Sequence, residues 1–489
     1  MSIIFEKSIR GRRGAGLPKS DVPVDVIPDG YRRVSPLGLC ELSELDVVRH
    51  FTALSRLNYG VDTGFYPLGS CTMKYNPKIC EKAAALDGFA GLHPALARLP
   101  GGHRFVQGAL AVIYELESLL CRVAGMDAFT LQPMAGAHGE LTGLAVIAAY
   151  HRKNGGGRTE VLIPDEAHGT NPASAATAGY EVKTAPTDPA TGLLDVGRLD
   201  AAIGERTAAV MMTNPNTLGL FNPRVREIAA IAHSRGALMY YDGANLNAIM
   251  GRFRPGDGDF DAMHVNLHKT FGAPHGGGGP GSGPVGVKKF LKPFLPVPRV
   301  VKKTGGDDGA PAGGFYALDD AYPGSIGPVA PFYGNFAVCL KAYTYILMHG
   351  GRGLAEVSEQ AVLNANYVMR ALMGRYDVPY PRACMHECVL TAKLQAGRGV
   401  KAVDVAKALI DRGIHPPTVY FPLVVREAMM IEPTETESKE VLDAFIAAMA
   451  EIAETAQTSP ESLQNAPVAT PTGRLNETKA ARDMDVAFL

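Results

Sequence analysis

The chain has 489 residues, 46% of them apolar and 20% charged, a balance that suits a folded globular protein and excludes a fibrous or disordered one. Its 48 Lys+Arg and 49 Asp+Glu leave a formal charge of −1, so no global field draws it to nucleic acid or to an anionic membrane. Small molecules and other proteins are the expected partners.

The opening MSIIFEKSIRGRRG is basic but lacks an apolar signal core. No apolar run reaches the roughly 18 residues of a membrane span, since stretches such as Ala337 to Met348 are broken, there by Lys341. Seven scattered cysteines, an odd number, suit a reducing compartment better than a disulfide framework. The expected location is the cytoplasm.

Three zones follow one another. Residues 1–105 read as a turn-rich N-terminal arm with a loop segment, 106–330 as a large α/β domain, and 331–489 as a smaller C-terminal α/β domain with an irregular tail. The large domain opens with a strand at Ala128 to Leu131, turns through QPMAGAHGE, and continues as a helix over Leu141 to His151. Short apolar runs at Val161 to Ile163, Ala208 to Met212 and Ala237 to Tyr241 predict further strands. Between the last two, Asn222-Pro223 opens a helix with Val225, Ile228, Ala229 and Ala232 on one face, and Gly236 ends it. Strands alternating with helices imply a mostly parallel sheet flanked by helices.

In the last zone a helix near Ala402 to Arg412 stops at Gly413, and apolar segments surround Tyr420 and Met429. The spacing of Thr434 and Glu437 predicts a capping box opening a helix that buries Val441, Leu442, Phe445, Ile446 and Met449. Residues 456–480 lose periodicity and read as a surface tail.

Chemistry concentrates where strands end. Lys269, in Asn266-Leu-His-Lys-Thr270, follows an apolar run and precedes the glycine-rich Gly272 to Gly279, so it is a candidate amine nucleophile. Taken alone it reads equally as a surface lysine. Asp242 ends the strand before Gly243-Ala244-Asn245, where open parallel sheets bind ligands. A carboxylate there can keep a pyridinium nitrogen protonated, which makes the ring an electron sink.

Met134 to Gly139 offers backbone amides at a helix start, as a phosphate requires. His168, after the Val161 strand, is placed to stack on a flat ring, and Asn214 to hydrogen-bond a phenolic oxygen; a loop histidine and Asn-Pro turn chemistry are the plainer readings. Together these strand ends carry a phosphate turn, a ring partner, an amide, an acid and a lysine, the set that pyridoxal phosphate needs. Cys384 and Cys388 flank His386 in a spacing that invites a metal, but with no second ligand pair the apolar stretch reads as core.

These residues resemble the fold-type I pyridoxal-phosphate enzymes and, more narrowly, the glycine cleavage system P-protein family, in the lysine-bearing subunit of its two-subunit form. The resemblance runs along nearly the whole chain. Phe5 to Ser8 with Gly11 to Arg13, Phe65 to Pro77, Gln132 to Glu140, Asp165 to Pro172, Asn266 to Thr270, Tyr322 to Gly327 and Glu432 to Glu437 carry it, and LGSCTMKYNP is the most specific.

The resemblance implies a large domain with a mostly parallel sheet, a small C-terminal domain, and a glycine dehydrogenase (aminomethyl-transferring) activity without a metal. Glycine would lose its carboxylate and pass its aminomethyl group to the lipoyl arm of the H-protein. Lys269 would hold pyridoxal 5'-phosphate as a Schiff base, with Asp242 and His168 as catalytic companions. Asn214, Gly136, Ala137, His138, His268 and Ala244 complete the expected cofactor contacts, and Ser70, Cys71, Thr72 and Asn245 are candidates for the glycine end. A lysine-lacking homologue would complete an α2β2 assembly.

Rival readings keep the fold but change the reaction, to an amino-acid decarboxylase, a desulfurase using Cys71, or an aminotransferase with an arginine for the substrate carboxylate. A non-catalytic scaffold subunit would have no need of both Lys269 and Asp242. Nucleotide binding by Gly276 to Gly279 lacks the Lys-Ser or Lys-Thr that such a loop requires.

Overall fold

The computed structural model describes residues 2–16, 18–23, 25–35, 37–274, 279, 281–303 and 314–485. Of the glycine-rich loop singled out above, residues 275–278 lie outside the described residues.

Residues 1–64 form one compact unit. Its helix α1 (Glu44–Ser55) starts where Ser43 Oγ accepts the Asp46 amide at 3.1 Å, and Asp46 in turn holds Arg12 at 2.7 Å.

Residues 65–489 form the second unit, organised by a seven-stranded sheet. Its strands are β1 (Ala128–Thr130), β2 (Glu160–Pro164), β3 (Glu181–Ala185), β4 (Thr207–Thr213), β5 (Leu238–Gly243), β6 (Ala262–Val265) and β7 (Val285–Val287). In space they run β1-β7-β6-β5-β4-β2-β3, and β7 alone is antiparallel to its neighbours.

Every residue of β4 and β5 is buried, as strands covered on both faces require. The alternation sorts them: Val210, Met212, Met239 and Tyr241 face one core, Ala209, Met211, Leu238 and Tyr240 the other. The first core packs against α2 (Gln107–Ala124) and the second against α3 (Gly136–Lys153). A short helix, α4 (Thr170–Thr177), follows β2. The helix expected after Asn222-Pro223 is α5 (Val225–Ser234), with the four expected side chains buried. A single turn, α6 (Leu267–Thr270), follows β6 and carries Lys269. Strands β8 (Arg299–Lys303) and β9 (Phe315–Asp319) make a separate antiparallel pair.

The long helix α7 (Phe336–Leu372) is two helical segments meeting at Gly350, whose φ of 60° breaks the helical path. Beyond it, β10 (Cys388–Thr391), β11 (Thr418–Val419) and β12 (Ala428–Ile431) form an antiparallel sheet in the order β10-β12-β11. Around it stand α8 (Ala402–Asp411), α9 (Lys439–Thr458) and α10 (Pro460–Asn465), sharing one core.

Two expectations need correction. Helix α9 is capped not by Thr434 but by Ser438, whose Oγ accepts the Val441 amide at 3.4 Å. Thr434 has a φ of 64° and its carbonyl accepts from the Asn364 side chain, so 432–437 is a turn, and Val441 and Ile446 are only half-buried. The tail beginning at residue 456 is also more ordered than its lost periodicity implies. Leu463 and Ala466 enter the core of this sheet, and Arg474 reaches back to Asp404 at 2.6 Å. No helix among the described residues is long and apolar enough to cross a membrane.

Candidate active site

Because β2, β4, β5 and β6 run parallel, their C-terminal ends open on one side of the sheet, and the chemistry-bearing side chains gather there. A cavity of about 190 Å³ is lined by Gly136 and Ala137 from α3, His168 after β2, Asp242, Ala244 and Asn245 around the end of β5, and His268 and Lys269 on α6. Ser70 closes it from the loop after residue 65.

Asp242 is the best-defined of these. Its Oδ2 accepts Asn171 Nδ2 at 2.9 Å, its Oδ1 accepts the Ala244 amide at 3.0 Å, and His264 Nε2 lies 3.3 Å from Oδ1. Burial pushes its carboxyl upward, but His264, Asn171, the Ala244 amide and Lys269 outweigh that and hold it below the usual value. It is therefore a buried anion with an aimed set of donors.

Lys269 Nζ donates to the Ser70 carbonyl at 2.7 Å. Ser70 reaches this position with a φ of 62°, a left-handed conformation uncommon for a residue with a side chain. Gly69 before it allows the close approach, since a Cβ there would stand 2.2 Å from Met430 Cγ. Lys74 fixes the far end of the loop: its fully buried Nζ pairs with Glu435 at 3.0 Å and donates to the Thr270 carbonyl at 2.7 Å, on the turn that holds Lys269.

His168 lines the cavity with Nδ1 2.9 Å from Thr170 Oγ1, which donates in turn to Glu140 at 2.7 Å. Burial, with the Lys269 charge, lowers the pKa of His168 and favours the neutral ring. A Cβ at Gly136 would come within 2.5 Å of the Asn266 side chain, so any larger residue there would have to displace it.

The expected residues do not all converge. Asn214 is absent from the cavity lining: its Oδ1 accepts the Asn222 amide at 2.7 Å and its Nδ2 donates to the Asn222 carbonyl at 3.2 Å, which is turn chemistry. His138 uses Nδ1 to accept the Met134 amide at 3.2 Å and also stands outside the lining. Cys71 is outside too, its thiol pushed upward by burial, and Thr72 is turned away to Glu432.

Other lining residues escaped the sequence reading: Glu140, Thr170, Thr213, Thr217, His264, Asn266 and Glu387. A buried acid between His386 and Cys388 in an apolar stretch is the signal that could have found Glu387. Cys384, His386 and Cys388 are all buried, and the cluster there is His386 with Glu387 and Glu432, without either cysteine.

The arrangement fits pyridoxal phosphate. The first turn of α3 presents backbone amides that would face the phosphate, Asp242 would face the ring nitrogen, and Lys269 would supply the amine. Thr213 Oγ1 and Asn266 Oδ1, both in the lining, are buried without a hydrogen-bond partner, so the wall holds polar atoms suited to a polar ligand.

Residues 357–468 match the family model described as glycine dehydrogenase, C-terminal domain, and 140–278 that of aminotransferase class-V. The probable glycine dehydrogenase (decarboxylating) subunit 2 of Listeria innocua is 56% identical over 487 residues, 99% of this chain and 97% of that protein. The protein of the same description from Bacillus licheniformis is 56% identical over 486 residues, 98% of this chain and 97% of its own length.

Among solved structures, a glycine decarboxylase (P-protein) of the glycine cleavage system in inhibitor-bound form aligns with a TM-score of 0.71 at 22% identity, covering 87% of this chain and 93% of that one. Glutamate decarboxylase of Lactobacillus brevis aligns at 0.64 and 12% identity, over 91% and 96%. At these identities the structural likeness speaks to the fold, which is the expected α/β fold of the fold-type I pyridoxal-phosphate enzymes. On its 56% identity over nearly its whole length, the chain belongs to the glycine dehydrogenase (decarboxylating) subunit 2 family.

Proposed function

We propose that the chain decarboxylates glycine with pyridoxal phosphate at Lys269 and passes the aminomethyl group to the lipoyl arm of the H-protein. The observation that carries this reading is one cavity shared by the amine of Lys269, the buried carboxylate of Asp242 and the start of α3. When bound, pyridoxal phosphate supplies an electron sink for the pair left on glycine as its carboxylate departs.

The chain's own groups divide the remaining work. Lys269 provides the amine that holds the cofactor. Asp242, kept anionic by its donors, would hold a proton on the ring nitrogen. His168 would flank the ring, and the amides of Gly136 and Ala137 would take the phosphate. Ala244, Asn245 and His268 border the same cavity, and Ser70 walls the glycine end. Asn214, His138, Cys71 and Thr72 act in this reading from behind the wall.

The rival reactions find less support. Among the described residues lining the cavity there is no arginine to clamp a larger substrate carboxylate. Burial holds the Cys71 thiol protonated, which disfavours a desulfurase nucleophile.

The description of the relatives as subunit 2 supports a companion chain, and an α2β2 assembly meeting a lipoylated H-protein is part of the proposal. So is the division at residues 105 and 330 into arm, large domain and small domain. None of the seven cysteines is joined in a disulfide among the described residues, which supports a cytoplasmic setting. The test is release of labelled carbon dioxide from carboxyl-labelled glycine by the chain with its companion subunit and a lipoylated carrier. No release by that assembly would defeat the proposal.

A further inference from the structure

Beside Lys269 lies a cluster that the roles above leave unused. His386 and Glu387 precede β10 and Glu432 follows β12, and the pairing of Cys388 with Ile431 brings them together. One nitrogen or oxygen from each lies within 4.8 Å of the others, and all three residues are fully buried.

Glu387 Oε2 accepts the Ser70 amide at 3.1 Å, while its Oε1 is 3.5 Å from Asn245 Nδ2 and 3.9 Å from His386 Nε2. Glu432 Oε1 accepts Thr72 Oγ1 at 2.6 Å and Asn247 Nδ2 at 3.2 Å, and lies 4.0 Å from His386 Nε2. Neither ring nitrogen of His386 has a hydrogen-bond partner. Of the three residues, only Glu387 lines the cavity.

Two carboxyls enclosed this closely do not both ionise. Burial and the neighbouring Glu432 push Glu387 upward, against the Ser70 amide and Lys269. Burial likewise raises Glu432, against Thr72, Lys269 and Asn247, with Glu435 adding to the rise. His386 is driven down to about 3 by burial and by Lys269, so a neutral imidazole, not a cation, faces the pair. The remaining charge near it, Glu435, is paired with Lys74.

The reaction read above needs such a proton. Glycine enters as an ammonium and must shed a proton before its nitrogen can bond. Its C–C bond then breaks, carbon dioxide leaves, and the electron pair kept by the methylene carbon forms a C–S bond with the acceptor disulfide. The S–S bond breaks, its pair stays on the second sulfur, and that thiolate takes up a proton to end as a thiol. The proton shed by glycine leaves to water, while the one consumed late at the sulfur can come from a carboxyl that already holds it and is reprotonated from water afterwards.

We propose that Glu387 is the proton carrier of this step, protonated before glycine enters and giving its proton to the departing sulfur, with Glu432 and His386 as the positioning residues that keep the proton on Glu387 until then. This rests on the function proposed above.

The test is an infrared difference spectrum at neutral pH, on the full chain loaded with pyridoxal phosphate and without substrate. Wild type should show a protonated-carboxyl band that Glu387→Gln loses and Glu387→Asp keeps. With companion subunit, glycine and lipoylated carrier, turnover of Glu387→Gln should fall about 10²- to 10⁴-fold, recovering in part in Glu387→Asp, while the cofactor's visible absorption persists.

A band that survives Glu387→Gln but vanishes in Glu432→Gln, a divalent metal bound one per chain at the cluster, or undiminished turnover of Glu387→Gln overturns the proposal. If wild type releases no carbon dioxide from glycine, it is the functional reading that fails. If wild type and Glu387→Gln release it equally, only the proton carrier falls.

Discussion

The amine of Lys269 is 2.7 Å from the carbonyl oxygen of Ser70, a residue 199 positions away in sequence. The same peptide segment gives its Ser70 amide to Glu387. One strained residue thus holds Lys269 on one side and a buried acid on the other, so the 65–77 loop borders the cavity as much as the strand ends do.

Replacing Lys74 tests that anchoring. Its ion pair with Glu435 is dry, so Lys74→Met leaves a carboxylate uncompensated and should cost about 3–5 kcal/mol, measured by denaturant unfolding. The pH dependence has a definite sign. Burial lowers the Lys74 pKa, but Glu435 and Tyr345 outweigh it and raise it above 10.5. Its stabilisation is therefore full below 10.5 and lost as pH climbs through the raised value. The gap between wild type and Lys74→Met should narrow only at strongly alkaline pH; a gap that instead narrows between pH 7 and 9 contradicts the pairing.

Asp242→Asn keeps the shape of the strand end but removes the charge that would hold a ring proton. Glycine turnover should drop about 10²- to 10³-fold, the scale of losing one aimed electrostatic contact. Cofactor binding should persist, checked by absorbance after gel filtration. Turnover close to wild type would remove Asp242 from the mechanism.

Gly136→Ala puts a methyl group against the Asn266 side chain, where the ideal Cβ comes within 2.5 Å. Affinity for pyridoxal phosphate should weaken about tenfold or more, roughly 1.4 kcal/mol, read by titrating the apo chain. An unchanged affinity would mean that the start of α3 is not the phosphate cradle.

The strand ends were legible in the sequence because apolar runs bounded by turns reveal a parallel sheet, and such a sheet sets its ligands at one edge. Asp242, His168 and Lys269 followed from that single rule. Asn214 obeyed it too, yet its side chain closes the turn to Asn222, a local competition that residue order does not decide. Glu387 and Glu432 were hidden because they come from the small sheet, hundreds of residues from Ser70 and Thr72, and only long-range packing brings them together. The start of α9 was misplaced for a related reason: Thr434 satisfies a capping spacing but is held in a turn by Asn364, leaving Ser438 as the cap.

The most direct measurement is the absorbance spectrum of the purified chain given pyridoxal phosphate, for wild type and Lys269→Ala, before and after borohydride reduction. A visible band in wild type, absent from the variant and fixed by reduction as a covalent adduct on Lys269, is the predicted result. A wild type that stays colourless even with its companion subunit, or an adduct on a lysine other than Lys269, would contradict the account.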